Sequence, residues 1–372
     1  MIKKVGIVTW NGSYNYGTNL QAYALYRKIH SMGFETYMLS YFPVEDHTFF
    51  GFLKAFYLKW KYRIKKRPEP TTSGKHPLKM NRVESFVNQN FMYSVPQKNK
   101  RNLKKTLKGT DCVITGSDQI WNPYYLQTFY LLSMVNAHTR KVSYASSIGV
   151  EEIPAKSVRV YQKYLSRFDY LSLREEKGTE LVKKLTGKNV TTVLDPTFLL
   201  SEQEWNHLAE QALTIEKTFD GAFILCYFVG DNPSAWDDVR AIQRKTGIPN
   251  VLIIPLEDGH YQTEFTLYET AGPCEFVQLI REAALVCTDS YHATALCLIL
   301  KKDFIEFLRF RKEDPRSQNS RILEILTHYG LKDRFYEAGN ERLFEPINFT
   351  EAHIIVENDR KVSEDFLTNA LR

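Results

Sequence analysis

The hydrophobic pattern of this chain alternates between short apolar runs and longer stretches with helical periodicity. Polar or glycine-containing turns bound each apolar run, which is typical of buried strands. The runs predict strands at 5–10, 36–41, 110–115, 140–145, 168–173, 190–194, 222–227, 250–255, 285–288 and 303–307. Helical patterns cover 20–29, 79–91, 274–282 and 351–371, with further helices starting near Ser201, Ala293 and Ser317 and one ending near Thr246. Strands that alternate with helices in this way favour parallel sheets.

The alternation starts afresh in the second half of the chain. Asp195-Pro196 ends the strand at 190–194, and a new strand–helix series begins after Asp220. A chain of 372 residues is long enough for two domains, each with its own core. We therefore predict two Rossmann-like, doubly wound α/β domains that face one cleft. The N-terminal domain spans residues 1–200, the C-terminal domain spans 201–350, and closing helices occupy 351–372.

Polar residues follow four of the strands predicted in the first half. Because the carboxyl ends of parallel strands lie at one edge of a sheet, where ligands bind, we expect these residues to share a cleft. The loop at 11–19 has neither the spacing of a dinucleotide fingerprint nor a P-loop lysine, so a structural turn and a binding loop both remain open. The polar residues of interest are Asn15, Gly17, Asn19, Gln21, Asp118, Gln119 and Arg174.

A histidine marks the corner between a strand and a helix at 285–296, LVCTDSYHATAL. The apolar run predicts a buried strand, Asp289-Ser290 predicts a turn with a helix cap, and the helix is expected from Ala293. The start of a helix offers N–H groups to an anion. His292 therefore lies where a titratable group could act beside a bound anion, although a histidine that merely packs against a capped turn fits the same pattern.

Composition excludes several classes of protein. With 43% hydrophobic and 25% charged residues, the chain resembles a globular protein, and its net charge of +6 does not indicate a nucleic-acid partner. No apolar run approaches the ~18 residues of a membrane span. The five cysteines are scattered, without metal-binding spacing, and are expected to be reduced and structural. These features predict a cytoplasmic protein without a metal.

Residues 52–67 combine aromatic and basic character. Their sequence, FLKAFYLKWKYRIKKR, places aromatic and aliphatic residues at helical spacing among lysines and arginines, with no acidic residue. Such a helix suits the surface of an anionic membrane, which would make the protein peripheral at the inner face of the membrane. A helix that packs through its aromatic face and exposes its lysines fits equally well.

Six motifs occur in an order that is more specific than any one of them: NYGTNLQA at 15–22, GSDQIWN at 116–122, SLRE at 172–175, LDPT at 194–197, TDSYHAT at 288–294 and NSR at 319–321. Together they resemble the polysaccharide pyruvyl transferase family from about Lys3 to Leu331. The resemblance implies a glycosyltransferase-B-like fold. It also implies transfer of the enolpyruvyl unit of phosphoenolpyruvate to a sugar of a surface polysaccharide precursor, with formation of a pyruvate ketal. Many members have Phe-His-Gly at Tyr291-His292-Ala293.

The resemblance assigns roles to the residues at the cleft. His292 becomes the general acid or a phosphate-binding cation, and Arg174 the main ligand of the donor anion. Asp118 becomes the base for the attacking hydroxyl. Further donor-binding residues are Ser290, Ala293, Arg309, Arg311 and Arg321, and the acceptor would contact Asn15, Gly17, Asn19, Gln21, Asp118 and Gln119.

Each role has a structural alternative. Arg174 could form an ion pair with Glu175 or another nearby acid, and Asp118 could cap a turn. Arg321 could pair with Asp314 or Glu313. Phosphoenolpyruvate is expected as a substrate, with no cofactor, and the acceptor would be a polyprenyl-diphosphate-linked oligosaccharide if 52–67 binds membrane. Two other functions remain open: a nucleotide-sugar glycosyltransferase of the same fold, and a non-catalytic glycan-binding protein of polysaccharide assembly.

Overall fold

The computed structural model describes residues 2–40, 76–94, 100–213, 215, 219–230, 234–256, 261, 264–309 and 319–372. The basic segment 52–67 and Arg311 lie outside the described residues, so the predictions made for them stay predictions. In the described part of the chain, no helix combines the length and apolar character that a membrane crossing requires.

A parallel sheet forms the centre of the first half. Its strands are β1 (Lys4–Val8), β2 (Glu35–Met38), β3 (Cys112–Thr115) and β4 (Arg140–Ser143), in the order β2-β1-β3-β4. The parallel pair β5 (Ser172–Leu173) and β6 (Thr191–Thr192) continues it, because single bridges join Val142 to Tyr170 and Ser146 to Leu173. The helices of this half are α1 (Tyr16–Ser31), α2 (Pro77–Asn90), α3 (Lys100–Thr106), α4 (Ala155–Leu165) and α5 (Glu176–Thr186).

The second half contains a second parallel sheet. Its strands are β7 (Phe223–Tyr227), β8 (Asn250–Ile253), β9 (Thr266–Leu267), β10 (Leu285–Thr288) and β11 (Phe304–Glu306), in the order β11-β10-β7-β8-β9. Its helices are α6 (Glu202–Ala209), α7 (Ala235–Thr246), α8 (Pro273–Glu282), α9 (Tyr291–Ile299), α10 (Asn319–His328) and α11 (Thr350–Leu371). The α/β class and the parallel sheets predicted from the alternating pattern are confirmed.

The two sheets share part of their hydrophobic core. One buried cluster contains Val5 of β1 together with Val286 of β10, whereas two further clusters each belong to one sheet. Helix α1 connects the halves, because the Tyr16 ring stacks on Phe276 at 4.5 Å and its hydroxyl donates to the Ala271 carbonyl at 2.9 Å. The sequence predicted a separate core for each half, and the structure adds this common one.

Two helices begin earlier than predicted. Helix α1 starts at Tyr16 rather than Leu20, because the Asn15 side chain caps it by accepting from the Thr18 N–H at 3.3 Å. Gly17 and Asn19 therefore lie in a helix and not in the predicted loop. Helix α9 likewise starts at Tyr291 rather than Ala293, which places the histidine of the TDSYHAT motif in its first turn.

Candidate active site

His292 lies in the first turn of α9 and is 9% exposed. Ser290 precedes the helix with extended backbone angles, but its side chain makes no capping hydrogen bond. The first N–H groups of α9 thus receive no capping hydrogen bond from Ser290, and they carry the positive end of the helix dipole. His292 Nε2 is buried, has no hydrogen-bond partner among the described residues and lies 3.5 Å from Asp195 Oδ2. This corner has the properties of an anion site beside a titratable group.

Gly17 provides the space for His292. A Cβ atom added to Gly17 would lie 2.2 Å from His292 Nδ1, which is far inside van der Waals contact. Gly17 and His292 occupy the first turns of α1 and α9, so the N-termini of these two helices meet at the histidine. Gly17, predicted as an acceptor ligand, is instead buried against the histidine.

Asp195 joins the two halves of the site. Its side chain is fully buried, and Oδ2 lies 2.7 Å from Arg174 Nη1, 3.2 Å from Ser117 Oγ and 3.5 Å from His292 Nε2. Oδ1 accepts from the Thr197 N–H at 3.0 Å. Burial raises the pKa of Asp195, but the contacts with His292, Arg174 and the Thr197 N–H outweigh it and hold the pKa below its usual range. Asp195 is therefore an anion that contacts both the Arg174 guanidinium and the His292 imidazole.

Arg174 uses only part of its guanidinium in that ion pair. Nη1 binds Asp195, whereas Nε and Nη2 are buried and have no hydrogen-bond partner in the described part of the chain. The group also lies over the Tyr291 ring, 4.6 Å from its centroid. The predicted alternative of an ion pair is therefore present, with Asp195 as the partner rather than Glu175. The remaining N–H groups are donors suited to an anion.

Two more arginines contribute positive charge. Arg309 donates from Nη2 to the Asp289 carbonyl at 3.0 Å, and the Asp289 carboxylate accepts from the Gly230 N–H at 2.7 Å. Burial, with the nearby positive charges of Arg174 and Arg309, lowers the pKa of Arg321 to about 10. Repulsion among these guanidinium groups is relieved when an anion binds between them. The structure thus brings together three of the four predicted donor arginines.

Asp118 has a left-handed backbone, with φ of 69°. Such a conformation is uncommon for a residue with a Cβ and motivates a functional hypothesis. Both carboxylate oxygens already have donors: Oδ2 accepts from Thr18 Oγ1 at 2.9 Å and Oδ1 from the Gln119 N–H at 2.8 Å. Gln119 Oε1 accepts from the Tyr125 hydroxyl at 2.7 Å. The alternative that Asp118 stabilises its own turn is therefore realised in the structure.

The predicted acceptor contacts of Asn19 and Gln21 do not fit the structure. Both side chains are 0% exposed. Asn19 Nδ2 donates to the Ser13 carbonyl at 2.6 Å, while Gln21 Nε2 donates to the Thr18 carbonyl at 2.9 Å and Gln21 Oε1 accepts from the Ser117 N–H at 3.1 Å. Their amides shape the loops around the site, because every hydrogen-bonding end already binds protein. Asn15 remains exposed and caps α1.

Asp195 and Ser117 are the site residues that sequence reasoning missed. Both stood in motifs that were recognised, LDPT and GSDQIWN, but Asp195 was interpreted only as the end of a strand. Asp195 follows a predicted strand, precedes Pro196 and belongs to a motif that carried the family resemblance. These features could have indicated a site residue. Among the described residues, no group of three or more His, Cys, Asp or Glu side chains is arranged to hold a metal ion.

Two parallel α/β sheets with a site at their junction define a glycosyltransferase-B-like fold, which known structures share. A UDP-GlcNAc 2-epimerase from Neisseria meningitidis, bound to UDP-GlcNAc, has a TM-score of 0.52 at 11% identity, covering 99% of this chain and 100% of that chain. MurG from Acinetobacter baumannii has a TM-score of 0.44 at 10% identity, covering 96% and 95%. The likeness to the epimerase, at 11% identity, shows the fold alone.

The polysaccharide pyruvyl transferase family model matches residues 15–308. The chain therefore belongs to this family, as its motifs predicted. The match includes Gly17, Arg174, Asp195 and His292. No curated protein matches the chain.

Proposed function

We propose that this protein transfers the pyruvyl unit of phosphoenolpyruvate to a sugar of a surface polysaccharide precursor and forms a pyruvate ketal. One observation carries the proposal. Two buried N–H groups of Arg174 and the Nε2 of His292, which have no hydrogen-bond partner within the described residues, lie on either side of Asp195, at the start of α9, which Ser290 does not cap. Family membership supplies the transferase class.

The donor is a compact dianion or trianion with a carboxylate and a phosphate. Arg174 offers two N–H groups to one of these, and the α9 N-terminus suits the other. Arg309 and Arg321 add positive charge around the same place. Asp195 holds the guanidinium of Arg174 by a hydrogen bond, and the imidazole of His292 packs against Gly17, so that both groups are pre-organised before the donor binds.

The reaction requires two carbon–oxygen bonds and the loss of phosphate. One sugar hydroxyl adds to the carbon that bears the phosphate, while His292 gives a proton to the methylene carbon and converts it to a methyl group. A second hydroxyl of the same sugar then displaces phosphate from that carbon. Of the two hydroxyl protons released, one replaces the proton given by His292 and the other leaves with inorganic phosphate.

The proposal is tested by mixing the protein with phosphoenolpyruvate and lipid-linked oligosaccharide extracts, then measuring phosphate release and the mass added to the glycan. His292→Ala is expected to abolish transfer with the fold intact, whereas the exposed His207→Ala is a matched control that keeps it. Wild-type phosphate release by His292→Ala would remove His292 from the mechanism. Thermal stabilisation by nucleotide sugars, with none by phosphoenolpyruvate, would favour a glycosyltransferase instead.

A further inference from the structure

A cavity of about 660 Å³ lies between β6, α10 and α11, and Arg174 and Tyr291 form part of its wall. Its volume is within the range of about 300–1,000 Å³ that small-molecule sites occupy. Because Arg174 and Tyr291 also belong to the candidate donor site, a molecule in this cavity would lie next to the donor. None of the acceptor residues predicted near α1 lines this cavity.

Glu175 marks the cavity as a site for hydrogen-bond donors. It is 9% exposed and lines the cavity. Its Oε1 accepts from the Ile148 N–H at 2.7 Å and the Gly149 N–H at 3.2 Å, which fixes the carboxylate. Its Oε2 is buried and has no hydrogen-bond partner within the described ranges. A buried carboxylate oxygen without a donor is costly, so a ligand hydroxyl that donates to it gains binding energy.

The charge of the cavity selects the class of ligand. Glu176 and Glu324 also line it, and burial together with Glu175 raises the pKa of Glu324. Arg174 and Arg321 line the side of the cavity next to the donor site, so the part of the wall that repels phosphate and carboxylate groups is the part formed by Glu175, Glu176 and Glu324. Neutral hydroxyls, in contrast, donate well to carboxylates.

Another part of the wall is suited to the face of a sugar ring. Tyr329 lines the cavity, together with Leu323 of α10 and Val362 of α11, which are 43% and 51% exposed. Exposed apolar side chains that cluster at a cavity indicate a binding surface. A saccharide suits both the carboxylate part and the apolar part of the wall, because it presents hydroxyls at its edge and C–H groups on its faces.

We propose that the acceptor saccharide binds in this cavity, with a ring hydroxyl donating to Glu175 Oε2. The inference rests on the proposed function, since it assigns the second substrate of that reaction. It moves the acceptor from the predicted residues near α1 to a wall built from β6, α10 and α11. It also gives Glu175, which the sequence presented only as a neighbour of Arg174, a direct contact with substrate.

The test uses the full-length protein and methyl glycosides of glucose, galactose, mannose and N-acetylglucosamine as probes. Saturation-transfer NMR in the presence of phosphoenolpyruvate is expected to detect at least one of them. Glu175→Gln should weaken its binding about 10-fold or more, because the carboxylate acceptor is lost. Val362→Trp should block it by filling the cavity mouth, and Glu180→Gln, an exposed change on α5 outside the cavity, should leave it unaltered.

Calorimetry separates this inference from the proposed function. Phosphoenolpyruvate should bind the wild type and all three variants with similar affinity. Failure of the wild type to bind phosphoenolpyruvate would overturn the proposed function. The glycoside measurements would still test whether the cavity binds a saccharide. Glycoside binding that persists in both Glu175→Gln and Val362→Trp, or that is absent from the wild type, would overturn the cavity assignment.

Discussion

Replacing Gly17 with alanine tests whether the position of His292 controls the reaction. The added Cβ would lie 2.2 Å from His292 Nδ1 and 2.8 Å from His292 Cβ, and ordinary contact begins near 3.4 Å, so the imidazole must move by about 1.2 Å together with the start of α9. A displacement of about 1 Å in a catalytic group can cost roughly 100-fold in rate. We therefore expect Gly17→Ala to lower kcat for phosphate release by about 100-fold.

The same change should also lower stability, because rotation of the ring cannot relieve the contact with His292 Cβ and the start of α9 must shift. The melting temperature should therefore fall by several degrees, and kcat is compared at a temperature well below the melting temperature of the variant. Gly109→Ala is the matched control, because a Cβ there meets no atom within 4 Å. An unchanged kcat in Gly17→Ala would refute the idea that the histidine acts from this position.

Two further substitutions test the charges around the histidine. Arg174→Lys should raise the KM for phosphoenolpyruvate about 10-fold or more in steady-state kinetics. Lysine lacks the several N–H groups with which the guanidinium can bind Asp195 and the donor together. An unchanged KM would exclude Arg174 as a donor ligand. Asp195→Asn should lower the free energy of unfolding at pH 7 by about 3–5 kcal/mol, because buried Arg174 loses its partner. The folded-state pKa of Asp195 is depressed, so this difference in unfolding free energy is present above pH ~3.9 and should shrink as the pH falls further. Denaturant titrations at several pH values measure it. A difference that does not change with pH would contradict the negative charge assigned to Asp195.

Local signals in the sequence predicted the secondary structure where they were strong. A helix was predicted to start near Ser201, and Ser201 and Glu204 form a capping box there: the serine accepts from the Glu204 N–H and the glutamate accepts from the Ser201 N–H. The start of α1 was misplaced, because a polar sequence after Asn15 resembles a loop until the cap is recognised. The strand β9, Thr266–Leu267, has only two residues and was too short to give a pattern.

Residues of the candidate site could be predicted only where the residue type and its position in a predicted element indicated a chemical role. His292 and Arg174 were predicted because a histidine at a helix start and an arginine at a strand end indicate anion chemistry. Gln21 was predicted to bind the acceptor, but its amide binds backbone groups. A glutamine that binds a sugar and one that binds the backbone cannot be distinguished in the sequence. Burial and saturated hydrogen bonds, which distinguish the two, depend on residues far along the chain.

Asp195 shows how such distant contacts tie the site to the packing of the two halves. Arg174 lies after β5 in the first half, His292 lies at the start of α9 in the second, and Asp195 contacts both. A buried carboxylate and a buried guanidinium are each costly alone, so each stabilises the other only while the chain holds them together. The same packing brings Gly17 against the histidine. The charge arrangement proposed for the donor therefore depends on contact between the two halves and cannot belong to either alone.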